Sequence, residues 1–214
     1  MKDLALLFNH RQRTLYAVAA LLFLFEGIVI SLIFFPRVDQ HYIDYYINKT
    51  TDCWALSPPP NYSPNQTIFL GTEQPGTYHC TFTPLGWSFR ETWGTWTNKK
   101  RAVLRFNFHQ PVSQPLTLIF KGHGFAPKNG VQKVDLLVNN HHLKTAQLKH
   151  GEAETQHFPI PLTYIKGEKQ IEITFQIHDP ASPAEFGLSD DSRMLGVGLH
   201  WVRLDNQRSK KTAP

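Results

Sequence analysis

Polar and apolar positions divide this chain into two unlike stretches. Residues 15–35 read LYAVAALLFLFEGIVISLIFF, with Glu26 as the one charge and no proline. At 1.5 Å per helical residue the run is about 30 Å long, the thickness of a bilayer's hydrocarbon core. A secretory leader has a shorter apolar region that ends in a small-x-small cleavage site. This run ends instead in Phe34-Phe35-Pro36-Arg37, so it predicts one retained N-terminal transmembrane helix over 15–35. Lys2, Arg11 and Arg13 precede it, and Arg37 follows. Excess Lys and Arg marks the cytoplasmic side, which puts residues 1–14 in the cytoplasm and 36–214 outside. Tyr42, Tyr45 and Tyr46 come next, where amphipathic rings settle at an interface.

Beyond residue 100 the period changes to two. Ala102, Leu104, Phe106 and Phe108 alternate with Arg105 and Asn107, and Val134, Leu136 and Val138 alternate within 131–139. Ile171, Ile173, Phe175 and Ile177 repeat the pattern within 169–177. Apolar runs at 116–121, 143–148 and 195–204 and a Pro-punctuated edge at 158–162 complete the set. Alternation of this kind is a half-buried strand. Asn139-Asn140 predicts a tight turn, since Asn tolerates positive φ. Strands separated by turn residues, with no sustained helical period outside the apolar run, predict an all-β fold, a jelly-roll-like β-sandwich. Its expected extent is 80–206. Residues 36–79 are expected to be a juxtamembrane segment, with a short helix in 36–56 and a stiff Pro-rich stretch from Ser57 to Pro64 that is either a spacer or an irregular first edge of the domain. Residues 207–214 form a basic tail.

Charge adds little once it is divided this way. The whole chain of 214 residues carries 22 Lys and Arg against 17 Asp and Glu. Three cations (Lys2, Arg11, Arg13) and two anions (Asp3, Glu26) lie before residue 36, leaving 19 and 15. Arg208, Lys210 and Lys211 of the tail supply three of those cations. The body is nearly neutral, so no basic stripe exists for a phosphate backbone and nucleic-acid binding is not expected. Cys53 and Cys80 fall on the outer side, where an oxidising compartment favours a disulfide between them.

Two clusters hold the candidate chemistry. The first is Gly86-Trp87-Ser88-Phe89-Arg90-Glu91-Thr92-Trp93-Gly94-Thr95-Trp96-Thr97. Flat indole faces pack on the apolar face of a pyranose, and Glu and Arg bond its hydroxyls. Trp87, Glu91, Trp93 and Trp96, supported by Arg193, are therefore the expected glycan face. The alternative is structural, with the indoles plugging the sandwich and Glu91 paired to Arg90. On a strand, Trp93 and Trp96 point to opposite faces, which puts at least one of them in the core. The second cluster runs from Pro183 to Leu199 through Asp190, Asp191 and Arg193. Its acids lack the spacing of a calcium loop and read as a turn, with an acid accepting backbone N–H bonds and Arg193 paired to an acid. The eleven His contain no HExxH, and adjacent His141 and His142 point to opposite faces. No metal, no cofactor and no catalytic residue is expected. An enzyme using Asp190 or Asp191 is the least favoured reading. Three Asn-x-Ser/Thr triplets, at Asn48, Asn61 and Asn65, are glycosylation signals only in a eukaryote.

Glu26 sits near the middle of the apolar run, where a carboxylate is costly. Gly27 and Ser31 form a small-xxx-small pair beside it. Together Glu26, Gly27 and Ser31 predict contact with a second transmembrane helix, of this chain or of another.

The two clusters, in this order and spacing around the strands from Ala102, resemble a small β domain. That domain lies at the C-terminus of bacterial osmoregulated periplasmic glucan phosphoglycerol transferases and is appended to some surface-polysaccharide glycosyltransferases. The likeness covers about residues 80–206, and Gly94-Thr95-Trp96-Thr97 departs mildly from the usual motif. The family's catalytic part, with its metal site, has no counterpart in this sequence. The resemblance implies an accessory module on the periplasmic side of a bacterial inner membrane, without chemistry of its own. It would bind a glycan or hold a glycan-building enzyme. The alternative is a structural subunit of an inner-membrane complex, docked through its helix.

Overall fold

The computed structural model describes residues 2–34, 38, 42–47, 60–74, 78 and 80–207. The chain falls into two compact units, Met1–Tyr42 and Ile43–Pro214.

The first unit is one helix, α1 (Lys2–Phe34). Its stretch Gln12–Phe34, 23 residues of mean hydropathy 2.6, is long and apolar enough to cross a membrane. The helix begins well before the expected boundary at residue 15, because the preceding residues KDLALLFNHRQRT contain no helix breaker. Gly27 leaves a notch: a Cβ there would meet nothing within 4 Å. Phe23, Leu24, Gly27, Ile28, Ser31 and Leu32 line the resulting groove. Glu26 is not among its walls, so the acid and the small-residue pair face different directions around the helix.

The second unit is the expected sandwich. A π-helical turn, Ile43–Ile47, stands where a short helix was expected. Eleven strands follow among the described residues: β1 (Asn61–Tyr62), β2 (Ile68–Phe69), β3 (Trp87–Arg90), β4 (Thr95–Thr97), β5 (Arg101–Phe108), β6 (Leu116–Gly124), β7 (Val131–Val138), β8 (His141–Lys149), β9 (Glu154–Ile160), β10 (Gln170–Ile177) and β11 (Val197–Asn206). One sheet has the order β1-β5-β10-β7-β8, and the other has β3-β4-β11-β6-β9 with β2 also on β11. The antiparallel pairs are nested: β4 with β11, β5 with β10, β6 with β9 and β7 with β8. That is a long hairpin rolled into two sheets, a jelly roll. At its tip Asn139 and Asn140 take φ of 46° and 66°, joining β7 to β8 as their residue types predict.

The domain begins earlier than expected. β1 pairs in parallel with β5, and β2 pairs with β11, so residues 61–69 belong to the sandwich and not to a spacer. Two-residue strands carry no readable period, which hides them in the sequence. Tyr62 is 2% exposed, and its hydroxyl donates to Gln66 O and accepts from Leu204 N at 2.7 Å each. Burial pushes that phenol's pKa far up. The core lies between the sheets: Leu104, Phe106, Leu118, Phe120, Leu136, Ile173, Phe175, Leu199 and Leu204 are fully buried, each contributing about 1.5–3 kcal/mol over exposure. The Pro-rich stretch up to Pro59, the tail from 208 and Cys53 lie outside the described residues. Cys80 opens a 3-10 turn, Cys80–Phe82, and is not a free thiol.

Candidate functional site

The site is built on the hairpin β3–β4 and on the outer face of the sheet it joins. The link between the two strands, residues 91–94, is closed by Glu91 N–H donating to Gly94 O at 2.7 Å. Gly94 lies against β11 so closely that a Cβ would stand 2.1 Å from Leu199 O. On β4 the threonines point inward. Thr95 Oγ1 donates to Ser88 O, and Thr97 Oγ1 accepts from Val197 N. Trp96, between them, therefore points outward.

Trp87 does not belong to the outer face. It is 3% exposed, its Nε1 donates to Val103 O at 2.7 Å, and its ring meets Phe175 edge-to-face at 5.7 Å. It is the core tryptophan. A register shift between Trp87 and Arg90 adds one residue to β3. That extra residue turns Phe89, 42% exposed, outward although it stands two positions from Trp87.

Trp93 lies in the turn and not on a strand, so the opposite-face expectation fails. Its ring meets Trp96 edge-to-face at 5.4 Å. Both rings also pack on His123 of β6, at 5.0 and 4.8 Å, and Trp93 packs on His200 of β11 at 4.8 Å. Phe125 closes one side, 6.1 Å from Trp96. Gly198 forms the floor: a Cβ there would stand 2.8 Å from Trp93 Cη2 and 3.0 Å from His123 Cε1 and Nε2. Burial, with His200 and His150 nearby, pushes the His123 pKa down to about 4. Burial and then Lys121 lower that of His200. Both imidazoles are neutral at neutral pH. His123 Nδ1 and His200 Nε2 are buried without a hydrogen-bond partner among the described residues.

A charged brace stands behind the rings. Trp93 Nε1 donates to Glu91 Oε2 at 2.8 Å, and Arg193 Nη2 donates to Glu91 Oε1 at 3.2 Å. Arg193 also forks onto Asp191, through Nε at 3.0 Å and Nη2 at 2.7 Å. Its Nη1 donates to Ser88 Oγ at 2.9 Å, and its guanidinium lies 4.5 Å from the Phe89 ring centre. The hydrogen bonds from Arg193 hold the Asp191 carboxyl below its ordinary range. Arg193 is thus a positioning residue, its side chain 15% exposed. Glu91 pairs with it and with Trp93, whereas Arg90 lies over the Tyr78 ring at 4.1 Å. Both Asp191 oxygens accept from Arg193, one of them also from its backbone N–H, as expected of a turn. Among the described residues no group of His, Cys, Asp and Glu is arranged to hold a metal.

His141 stacks on Tyr164 at 4.8 Å beside a polar groove of about 430 Å³. A second groove, of about 380 Å³, is floored by Tyr62 and Phe108. Neither includes the indoles. The sequence reading missed His123, His200 and Gly198. The available signal was the outward phase of β6, where Lys121 and His123 alternate with core Phe120.

The model of the family described as "Domain of unknown function (DUF7024)" matches residues 58–206. No curated protein matches the chain. Solved structures with some likeness include the CBM36-1 domain of a multidomain xylanase from the hindgut metagenome of Trinervitermes trinervoides. That match has 10% identity over 67% of this chain and 99% of that one, TM-score 0.39. A family 35 carbohydrate-binding module from an environmental isolate gives 13% over 65% and 82%, TM-score 0.36. The insecticidal delta-endotoxin Cry8Ea1 of Bacillus thuringiensis gives 11% over 54% of this chain and 20% of the toxin, TM-score 0.35. Likeness at this level carries no argument about what the chain binds.

Proposed function

The chain belongs to that family, and we propose that it is a non-catalytic, membrane-anchored accessory protein that binds a glycan. One observation carries the reading: Trp93 and Trp96 stand on the outer sheet face, half-buried and edge-to-face, with the Trp93 indole N–H held by Glu91, which Arg193 holds in turn. Rigid aromatic faces suit a sugar, which offers an apolar C–H face. Neutral imidazoles also fit an uncharged, hydroxyl-rich ligand better than imidazoliums would. The apolar α1 serves as the anchor, and its flanking cations favour a cytoplasmic N-terminus, with the sandwich in the periplasm of a bacterial inner membrane. The resemblance to the β domain of periplasmic glucan transferases supports the same setting. Full-length protein in detergent micelles should bind glycans on an array, and Trp96→Ala should abolish that binding without lowering thermal stability by more than a few degrees. An array with no saccharide bound counts against the reading.

A further inference from the structure

The aromatic surface does not stop at Trp96. Directly paired residues share a face of a sheet, and Gly198 pairs with both Trp96 and His123. Two residues back along β6, Lys121 shares the face of His123 and pairs with Trp201. Trp201 in turn pairs with Phe69 of β2. The pairing shifts between Leu199 and Trp201, so His200 is an extra residue on β11. Without that bulge Trp201 would fall in phase with core Val197 and Leu199. With it, His200 and Trp201 both reach the outer face. The strand beside β11 also changes here, from β4 at Gly198 and Leu199 to β2 at Trp201 and Val202. Leu70 N–H donates to His200 O at 2.9 Å, fixing the handover.

From strand geometry, Trp201 lies about 7 Å along the strand and one strand spacing, about 5 Å, across from Trp96. Between them stand Gly198, which has no side chain, and the imidazoles of His123 and His200. Both indoles are half-buried. Arg203 lies 5.7 Å from the Trp201 ring centre and is held by Asp205 at 3.0 Å, which props that ring. The result is a strip, with an aromatic platform at each end and imidazole rings between.

We infer that the ligand is an oligosaccharide chain laid along β11, with one sugar on Trp96 and Trp93 and a later one on Trp201 and Phe69. A single sugar or a chain end would use only the first platform. This rests on the glycan reading above and adds its length and direction.

Titration calorimetry on the full-length protein in detergent tests it, with cello-, malto- and laminari-oligosaccharides of two to six units as probes. The wild-type affinity should rise with length by about tenfold in total, the factor equivalent to about 1.4 kcal/mol. Trp201→Ala should flatten that rise and leave the disaccharide within about twofold of wild type, because the first platform is untouched. Trp201→Phe should restore most of the rise, which separates a platform from a folding role. Trp96→Ala should weaken every length. Affinity independent of length, or equal loss at all lengths in Trp201→Ala, overturns the strip while leaving the glycan reading standing. No heat from any probe overturns both.

Discussion

Removing the Arg193 side chain is the sharpest test of how the aromatic face is held. The guanidinium ties three separate segments: the turn at Asp191, the strand residue Ser88 and the hairpin residue Glu91. Four of its bonds run to carboxylates at 2.7–3.2 Å. Hydrogen bonds to charged groups are worth about 1.5–3 kcal/mol each in mutational series. Asp191 and Glu91 keep 24% and 27% side-chain exposure, so water recovers part of that loss. Arg193→Ala then costs about 2–4 kcal/mol, equivalent to about 5–15 °C of Tm for a domain of this size. Arg193→Lys keeps the charge but loses the fork, and should recover roughly half. The pH dependence should change as well. Asp191 titrates below its ordinary value in the folded state, so its contribution is complete above about pH 4 and fades as pH falls through the lowered value. In Arg193→Ala that acid-side loss should shrink. Thermal unfolding of the full-length protein in detergent, followed by near-UV circular dichroism from pH 3 to 7, measures both effects. A Tm change under about 2 °C, with an unaltered acid limb, would refute the claim that Arg193 braces the site.

Gly198→Ala should disturb the binding face more than the fold. The new Cβ must push Trp93 Cη2 from 2.8 Å towards an ordinary 3.5 Å contact, so the Trp93 indole N–H resonance should move and glycan affinity should fall about tenfold. Trp87→Phe leaves Val103 O without its indole donor and should cost about 1–3 kcal/mol in chemical denaturation with glycan affinity unchanged. His123 titrates near pH 4, so its imidazole NMR shifts should stay flat from pH 8 to 5. Stability assigned to it is full above about pH 6.5 and declines below that, towards pH 4. Glu26→Leu should release a helix partner in mild-detergent pull-down. An unchanged partner list would show that the acid does not hold one.

Strands β5, β7 and β10 were legible because each carries a period of two. On β5 Ala102, Leu104 and Phe106 face in while Arg105 and Asn107 do not, on β7 Val134, Leu136 and Val138 are buried in the same way, and β6 and β11 were legible as apolar runs. The turn at Asn139 and Asn140 was legible for the same local reason. β1 to β4 were not, since two to four residues hold no period and their partners lie far along the chain. The clusters around Trp93 and Arg193 were legible as composition, and the structure joins them through Glu91. The assignment of Trp87 to the ligand face was wrong, because composition cannot say which side of a sheet a ring takes.

An unbroken count of two does not give the side of the sheet of Phe89 or Trp201, and the physical reason is the same for both. A strand pattern predicts that Trp87 and Phe89 share a face, and that Trp201 joins Val197 and Leu199 in the core. Both inferences assume an unbroken count. Each strand holds an extra residue, one within 87–90 and one at His200, and one extra residue reverses every side chain beyond it. The first bulge keeps Trp87 in the core while Phe89 turns out beneath the Arg193 guanidinium. The second brings Trp201 out to the face of Trp96. The outer aromatic face is therefore a product of two insertions and not of tryptophan abundance. A deletion of His200 tests this directly: the loss of one residue should return Trp201 to the core phase, blue-shift its emission and flatten the rise of affinity with oligosaccharide length.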